Sequence, residues 1–328
     1  STIDVAFLQY NSICNISFYD EFIKKKFFVL PKYIIEPIYK FFFLLSNKYL
    51  FFENFLTHKR MSKKSGWEKF NENDINFYLS DKIIERGNKI FKEHNFDSDR
   101  IVCINIWNSE HLKNIDWTHH SHRDANFSCF LLTINYLISK GFTVIKIGRS
   151  SNKININDKN FIDYSYDLFE DSLDLFLMHK CKFYISNSTG LDHLAFAFNK
   201  PMLINTPTIN DFFIEKKNIV YLLRPYFSKK KNRDLNIDEI IKKNLAFKLK
   251  SWHFKEQEVE ISDNSPEQIL LACKDLLHLI DKNFVVTNEK LEISNKFWEK
   301  YLNAKKLHKT DYDYYKQNSI KSFYSWSN

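Results

Sequence analysis

The central part of the chain alternates between short apolar runs and amphipathic stretches. Residues 101–106 are continuously apolar apart from one asparagine, a pattern typical of a strand buried on both faces of a parallel sheet. The apolar residues of 127–138 recur at helical spacing, and Gly141 follows as a helix-terminating glycine. Further short apolar runs occupy 143–147, 161–164, 182–186, 202–205 and 220–223. This alternation predicts β-α-β units with right-handed crossovers, and therefore a parallel sheet with helices on both faces over 101–224.

Helical patterns also occur on either side of this region. Residues 81–94 place four apolar side chains on one side of a helix. The segment 265–268 is a capping box with Pro266 at the first helical position, and it begins a helix that continues to Ile280. We therefore expect a mostly helical or reduced α/β domain over 1–97, a Rossmann-like sheet domain over 98–262, and C-terminal helices over 263–328 that brace the two.

Aromatic residues are concentrated in the N-terminal part. Residues 41–43 are three consecutive phenylalanines, and Phe51 and Phe52 follow. These side chains fit either a membrane-facing patch or, as we prefer, a helix packed against the second domain. No apolar run reaches the ~18 residues that a membrane span needs.

Composition and charge narrow the functional classes. The 328 residues include 44% hydrophobic residues, with only 5 Gly and 6 Pro, which excludes collagen-like and Pro/Gly-rich disordered chains. The net charge of +8 fits either an anionic partner or a lysine-rich solvated surface. No arginine-rich block or zinc-finger spacing indicates nucleic-acid binding. The five cysteines form no CxxC pair, which favours a reducing cytoplasm.

The loop 186–190 reads Ser-Asn-Ser-Thr-Gly, and it joins a predicted strand to a predicted helix. Ligands of open α/β sheets bind at such strand ends, and helix N-termini offer backbone N–H groups to phosphate. Ser188 and Thr189 add hydroxyl groups, and Gly190 permits close approach of the backbone. The alternative is a plain helix-capping turn, as most such loops are.

A second polar cluster, 119–124, contains three histidines, Arg123 and Asp124. Arg123 precedes the 127–138 helix, and a cation near a helix N-terminus suggests an anionic ligand. Alternatively, Arg123 pairs with Asp124 or Asp116 on the surface. The histidines fit a catalytic or substrate-binding role, a metal site or a solvated loop, although no carboxylate or cysteine spacing completes a known metal site.

Two further segments could approach an anionic ligand. Gly148 and Arg149 end the 143–147 strand, and the basic run 229–233 ends at Arg233. A turn and a solvated face are the simpler interpretations of these two segments. The chain has neither a P-loop nor a GxGxxG motif, which argues against kinases, simple NTPases and nicotinamide dehydrogenases.

At this point the sequence resembles a known family. The segment 186–201, SNSTGLDHLAFAFNKP, resembles the diphosphate-binding segment of heptosyltransferase-like enzymes. A longer resemblance, over 85–280, is to bacterial glycosyltransferases from surface-carbohydrate gene clusters. It rests on the order and spacing of short motifs: VCINIWNSEHL at 102–112, Asp-Trp at 116–117, His-x-x-Arg at 120–123, Ile-Asp-Tyr at 162–164, Cys-Lys-Phe at 181–183, Asn-Arg-x-Leu at 232–235 and Asn-Ser-Pro-Glu at 264–267.

The resemblance implies a GT-B fold, in which two Rossmann-like domains face each other across a cleft. It implies a metal-independent glycosyltransferase without a cofactor, which takes a nucleotide sugar as donor and a glycan or lipid-linked acceptor. The expected location is the cytoplasm, with peripheral contact with the inner membrane. His120 is the candidate base and Arg123 the candidate diphosphate clamp. The candidate donor-binding residues are Asn187, Ser188, Thr189, Gly190, Asp192, Gly148, Asp163 and Arg233.

The chain departs from the family in two places. Where the family has His-Val-Arg-Asp, this chain reads Asn105-Ile106-Trp107-Asn108, so the arginine expected to contact the donor diphosphate is a tryptophan. The family's usual first strand, loop and helix have no counterpart after Ser1, so we expect a smaller and incomplete N-terminal domain. Two alternatives therefore remain open: a non-catalytic GT-B-like scaffold, and a membrane-surface adaptor of a glycan-assembly complex.

Overall fold

The structure, a computed structural model, describes most of the chain from Tyr78 onward. The described residues are 78–94, 96, 100–111, 116–150, 152–167, 170–209, 218–280 and 287–307, with the short strands Val5–Phe7, Phe28–Leu30 and Phe323–Tyr324 and residues 17, 20 and 37. The phenylalanines of 41–43 and 51–52 lie outside the described residues.

Strands and helices alternate through the described chain. The strands are β1 (Val5–Phe7), β2 (Phe28–Leu30), β3 (Ile101–Asn105), β4 (Thr143–Lys146), β5 (Phe161–Asp163), β6 (Phe183–Ser186), β7 (Met202–Thr206), β8 (Ile219–Leu223), β9 (Tyr226–Ser228), β10 (Arg233–Asp234), β11 (Val259–Ile261) and β12 (Phe323–Tyr324). The α-helices are α1 (Asp81–His94), α2 (Leu131–Ser139), α3 (Tyr164–Asp167), α4 (Asp171–Lys180), α5 (Leu191–Ala197), α6 (Ile237–Lys242), α7 (Ser251–Glu256), α8 (Pro266–Ile280) and α9 (Asn288–Leu307). Short 3₁₀-helices occupy Ser109–His111, Thr118–Arg123 and Phe127–Phe130.

The main sheet is parallel, as the sequence predicts. Its strand order is β12–β8–β7–β6–β3–β4–β5, and every neighbouring pair in it is parallel. The chain starts in the middle at β3, proceeds outward to β4 and β5, and then returns to β6 before proceeding to β7 and β8. This is the Rossmann order, and its direction reverses between β3 and β6.

Side chains of each strand alternate between two cores. On one face, Val102 and Ile104 of β3 pack with Ile134 and Leu137 of α2, and with the buried side of α8. On the other face, Cys103 of β3 belongs to the cluster that α1, α4, α5, α6 and α9 cover. Successive side chains of a strand face opposite sides of the sheet. Because helices cover both sides, nearly every strand position is apolar.

The helix borders follow from local sequence. At the start of α8, the Ser265 backbone N–H donates to the Gln268 side chain at 2.9 Å, and the Gln268 N–H donates to Ser265 Oγ at 3.3 Å. This confirms the predicted capping box and the position of Pro266. A second capping box, Asn236 with Glu239, begins α6 and was not predicted.

The structure also contains elements that the apolar pattern does not indicate. β9 pairs with β10 and β11 in a small antiparallel sheet. β2 pairs in parallel with β1, which lies within residues 4–9, a segment whose pattern does indicate a strand. Helix α1 packs on α4 through the rings of Phe91 and Phe176, whose centroids are 5.0 Å apart. The proposed boundaries at residues 97 and 263 stay predictions. Among the described helices, none combines the length and apolar character needed to span a membrane.

Candidate functional site

The candidate site lies where β3 and β6 end side by side. Asn105 and Ser186, the last residues of these strands, are paired in the sheet. Beyond this point the two connections lead to opposite sides of the sheet, which leaves a crevice between them. The 186–190 loop and the 105–108 loop therefore meet at the switch point of the fold.

Asn187 joins the two loops. Its Oδ1 accepts the Trp107 backbone N–H at 2.7 Å, and its Nδ2 donates to the carbonyl oxygens of Trp107 at 2.8 Å and Arg123 at 3.1 Å. Asn187 is buried, so these bonds satisfy its whole amide inside the protein. Asn187 therefore positions both loops, and a direct contact with a donor stays a prediction.

The start of α5 is partly capped from within. The Asp192 carboxylate accepts the Thr189 backbone N–H at 3.1 Å and the Thr189 hydroxyl at 3.2 Å. Asn105 Nδ2 donates to the same hydroxyl oxygen at 3.1 Å. Burial raises the pKa of Asp192. A ligand at this turn would meet Gly190, which is exposed and has open space where a Cβ would be.

Arg123 contacts the 186–190 loop from across the crevice. Its Nη2 donates to the Ser188 carbonyl at 2.8 Å, and its guanidinium carbon lies 5.6 Å from the centroid of the Trp107 ring. Ser188 has a left-handed backbone, with φ of 69°, and this conformation places its carbonyl toward the guanidinium side of the turn. Burial lowers the pKa of Arg123, but a guanidinium stays charged at neutral pH.

Arg123 lies between two short helices. It is the last residue of the 3₁₀-helix Thr118–Arg123, and the 3₁₀-helix Phe127–Phe130, which Asn126 caps, continues directly into α2. Arg123 therefore precedes this helix as expected, and an anionic ligand there stays a prediction. Asp124 accepts hydrogen bonds from Ser109, and its charge also raises the pKa of Arg123, whereas Asp116 accepts hydrogen bonds from Thr118.

A buried arginine fixes the segment that carries Arg123. Arg224 follows β8 and is 3% exposed. Its Nη1 donates to the Asp124 carbonyl at 2.8 Å and approaches the carbonyls of His122 and Arg123 at 3.4 Å. Its Nε donates to the Ser262 carbonyl at 3.0 Å, and its Nη2 lies 3.1 Å from Asp263 Oδ1. Arg224 is therefore a positioning residue for the 122–124 segment.

The histidines of the 3₁₀-helix have different surroundings. Nε2 of His120 lies 3.2 Å from the Lys250 ammonium, and burial, followed by that positive charge, lowers the pKa of His120. Nδ1 of His122 lies 3.0 Å from Ser251 Oγ, and its ring packs against Phe254 at 5.0 Å between centroids. Burial lowers the pKa of His122 to about 3. Both imidazoles are consequently neutral at physiological pH.

Aromatic rings form a wall beside Arg123 and His120. The Trp117 ring stacks on His119 at 5.6 Å between centroids with 12° between planes, and it meets Trp107 edge-on at 6.1 Å. The His119 and His120 rings are 4.4 Å apart. Trp107 thus joins an aromatic array that borders the crevice.

The remaining predicted donor residues lie elsewhere on the strand ends or off the main sheet. Gly148, with φ of +80°, lies against the Asn105 side chain, where a Cβ would come within 2.9 Å of Oδ1. Asp163 is buried, accepts the Ile154 N–H at 2.7 Å and pairs with Lys146 at 3.3 Å. Arg233 lies on β10 and binds both carboxylate oxygens of Glu239. Donor roles for these three residues stay predictions.

A buried carboxyl also lies near Gly148. Asp174 of α4 is 4% exposed, and burial raises its pKa to about 7, with the Gly148 backbone opposing and Asp171 adding to the shift. It does not contact the 186–190 loop directly, but Gly148 connects it to Asn105 and through Asn105 to Thr189.

Sequence reasoning missed Arg224, Lys250 and the Trp117 wall. An arginine directly after a buried parallel strand is the signal that could have identified Arg224, because strand ends line the ligand edge of such sheets. Lys250 carries no comparable signal, since it reaches His120 from 130 residues away. Within the described ranges, no three His, Cys, Asp or Glu side chains are grouped so that they could hold a metal ion.

Comparison with solved structures gives distant likenesses, two of which are both glycosyltransferases by description. No protein-family model and no curated protein matches the sequence. The crystal structure of a family 9 glycosyl transferase from Veillonella parvula is 14% identical over 62% of this chain and 53% of that chain, with a TM-score of 0.41. The structure of E. coli ADP-heptose LPS heptosyltransferase II is 12% identical over 62% of this chain and 53% of that chain, with a TM-score of 0.33. The chain thus spans about half the length of both structures to which it is similar.

Proposed function

We propose that this protein is a GT-B-type glycosyltransferase, which moves a sugar from a nucleotide-sugar donor to an acceptor in bacterial surface-glycan assembly. One observation carries the proposal: the 186–190 loop and the Arg123 guanidinium converge at the switch point between β3 and β6. Nucleotides bind at this position in open parallel sheets. The resemblance of residues 186–201 to a diphosphate-binding segment supports the same location.

In this proposal Arg123 stabilises the leaving diphosphate. Its guanidinium already approaches the loop through the Ser188 carbonyl, and the exposed Gly190 backbone lies in the same turn. Fixed donors aimed at developing negative charge stabilise a transition state without a metal ion. Arg224 supports this role because it holds the 122–124 backbone in place.

His120 is the proposed general base. The neutral imidazole can accept the proton of an acceptor hydroxyl, a contribution worth typically 10²–10⁴-fold in rate. The acceptor is a growing glycan or a lipid-linked sugar. Reaction in the cytoplasm, with peripheral contact with the inner membrane, belongs to the same proposal.

A non-catalytic GT-B-like binding protein is the second candidate. Asp192 favours it, because its carboxylate occupies the Thr189 N–H and hydroxyl that a phosphate would otherwise use. Trp107 in place of the family arginine points in the same direction. The third candidate, a membrane-surface adaptor, depends on phenylalanines outside the described residues.

Calorimetry with UDP, GDP, ADP and CMP sugars tests the proposal. We expect one nucleotide class to bind the folded wild-type protein, and Arg123→Ala to bind it at least tenfold more weakly. Absence of binding by every donor at millimolar concentration would overturn the proposal. Slow donor hydrolysis, abolished in His120→Ala without loss of donor binding, separates the enzyme from the binding protein.

A further inference from the structure

We infer that Lys250 is an anion-binding residue that blocks His120 in the empty site, and that a phosphoryl group of the substrate releases His120 by taking over the Lys250 ammonium. The inference rests on the proposed function only for the role of His120 as a base. The coupling of Lys250, His120 and an anion does not depend on glycosyl transfer.

The contact between Lys250 and His120 defines the blocked state. Lys250 Nζ lies 3.2 Å from His120 Nε2. An ammonium group has three hydrogen-bond donors and no acceptor, so the imidazole nitrogen must be the acceptor. This contact requires a neutral His120 with its proton on Nδ1, a buried nitrogen on a ring that the Leu249 backbone also approaches. The Nε2 lone pair, which a general base would use, then accepts from Lys250.

The fold holds Lys250 in this place. Ser251, the next residue, is buried, and its Oγ contacts His122 Nδ1 at 3.0 Å and Ser121 Oγ at 3.2 Å. The His122 backbone N–H also donates to the same oxygen at 3.3 Å. These contacts hold the start of α7 against the 3₁₀-helix that carries His120. They therefore keep the Lys250 backbone close to His120.

The surroundings of His120 are positively charged. Lys250, Arg123 and His119 all lower the pKa of His120 after burial, and the His122 ring lies 6.1 Å away. In the described part of the chain, no salt bridge joins Lys250 or Arg123 to a carboxylate, although the charges of Asp192 and Asp124 raise the pKa of Arg123. Lys250 instead contacts the imidazole and lies 5.8 Å from the Trp252 ring centroid, while Arg123 contacts the Ser188 carbonyl and the Trp107 ring.

Arg123 donates to a neutral carbonyl and Lys250 to a neutral imidazole. The bond from Lys250 to His120 has a charged donor but a neutral acceptor. A phosphoryl oxygen adds a full negative charge and so attracts the Lys250 ammonium more strongly than the imidazole does. Once Lys250 turns to the anion, Nε2 can accept a proton from a hydroxyl group. Binding of the anionic substrate would thus make His120 available as a base.

Histidine NMR with inorganic pyrophosphate tests this coupling. The protein has 11 histidines, and His120→Gln identifies the signal of His120. We expect pyrophosphate to raise the pKa of His120 by about one unit, because the neighbouring ammonium is neutralised. In Lys250→Met, the pKa should already be raised without ligand, and pyrophosphate should bind at least tenfold more weakly and move the His120 pKa little.

Controls separate the subsite from general effects. Lys255→Met removes an exposed lysine from α7, the helix that follows Lys250. This variant should keep the wild-type pyrophosphate affinity and the wild-type response of His120. Lys250→Arg keeps the charge and should retain most of the pyrophosphate affinity, which a merely structural role would not predict. Thermal unfolding of each variant shows whether the fold is retained.

Two further arms identify the source of the phosphoryl group. If Lys250 binds the donor diphosphate, Arg123→Ala should weaken the effect of pyrophosphate on His120. If it binds a phosphate on the acceptor, inorganic phosphate should shift His120 equally in wild type and in Arg123→Ala.

Three results would overturn the inference: no binding of pyrophosphate, binding without any response of His120, or wild-type affinity in Lys250→Met. The proposed function fails separately. If a nucleotide sugar binds while His120 stays unchanged, the proposed function stands and this inference is wrong. If pyrophosphate shifts His120 but no nucleotide sugar binds, the subsite stands and the proposed function is wrong.

Discussion

The two halves of the ligand edge of the sheet are built differently. At the ends of β4 and β5, Lys146 and Asp163 form an ion pair whose side chains are 5% and 1% exposed, so its charges cancel inside the protein. At the ends of β3 and β6, Arg123 donates to a carbonyl and Lys250 to an imidazole. The first half holds its charges in a closed ion pair. In the second half, the Lys250 ammonium donates to a neutral imidazole, and the charges of Asp192 and Asp124 act on Arg123 without a salt bridge.

The strongest test of this contrast is Asp163→Asn. Removing the carboxylate leaves the Lys146 ammonium buried and unpaired, and breaking such a pair costs about 3–5 kcal/mol. We expect the midpoint of urea unfolding to fall accordingly, while pyrophosphate affinity of the folded protein stays at the wild-type value. A changed nucleotide preference instead would support the predicted donor role of Asp163 and contradict the contrast.

Asp174 should make the closed half sensitive to pH. Its pKa is raised to about 7 in the folded protein, against about 3.9 when unfolded, so between these values only the folded state holds the proton. Stability therefore falls as pH rises from about 4 to 7, by up to about 4 kcal/mol. Asp174→Asn should be more stable than wild type at pH 8, with the difference vanishing near pH 4. Equal stabilities at pH 8 would show that Asp174 ionises without cost.

His122, near the ends of β3 and β6, should make stability depend on pH in the opposite direction. Its pKa is lowered to about 3, against about 6.5 when unfolded, so the unfolded state takes up the proton first on acidification. Stability is lost as pH falls from about 6.5 toward 3, by roughly 2–3 kcal/mol after allowance for the solvent that still reaches this side chain. His122→Asn should flatten this acid limb in urea titrations. If the limb is unchanged, another group causes it.

Arg123→Ala should affect binding more than folding. Loss of a charge-assisted contact weakens pyrophosphate binding by tenfold or more, equivalent to about 1.5–3 kcal/mol. Because Arg123 is half-buried and bonded to the Ser188 carbonyl, we also expect about 1 kcal/mol of lost stability, at the upper end of what an exposed ion pair contributes. Arg123→Lys should recover only part of the affinity, since lysine lacks the planar fork. Wild-type affinity in Arg123→Ala would leave the backbone or Lys250 as the anion contact.

The smallest expected effect belongs to Trp107. The ring supports the Arg123 guanidinium from 5.6 Å, an interaction worth about 0.5–1 kcal/mol. Trp107→Leu should therefore weaken pyrophosphate binding by about two- to fivefold, and Trp107→Phe by less. Calorimetry with pyrophosphate measures the affinity of both variants. In the double variant Trp107→Leu with Arg123→Ala, the affinity should equal that of Arg123→Ala alone.

Several elements could be predicted from the sequence because their causes are local. Apolar runs identified β3 to β8, since strands buried on both faces consist mostly of apolar residues, and helical spacing identified α1, α2 and α8. The capping box of α8 needs only residues three apart. The small antiparallel sheet of β9 to β11 was missed, because its short, partly exposed strands carry no continuous apolar run.

The composition of the candidate site depended on the tertiary structure. The sequence identified the 186–190 loop and Arg123 as ligand candidates, but it did not indicate the 3₁₀-helix Thr118–Arg123 that carries Arg123. Two features follow only from long-range contacts. Asn187 joins two loops through a contact across 80 residues, and Lys250 hydrogen-bonds to His120 across 130 residues. Local patterns determine which segments become strands and helices. Strand order and helix packing determine which side chains share the crevice, and those depend on the whole core at once.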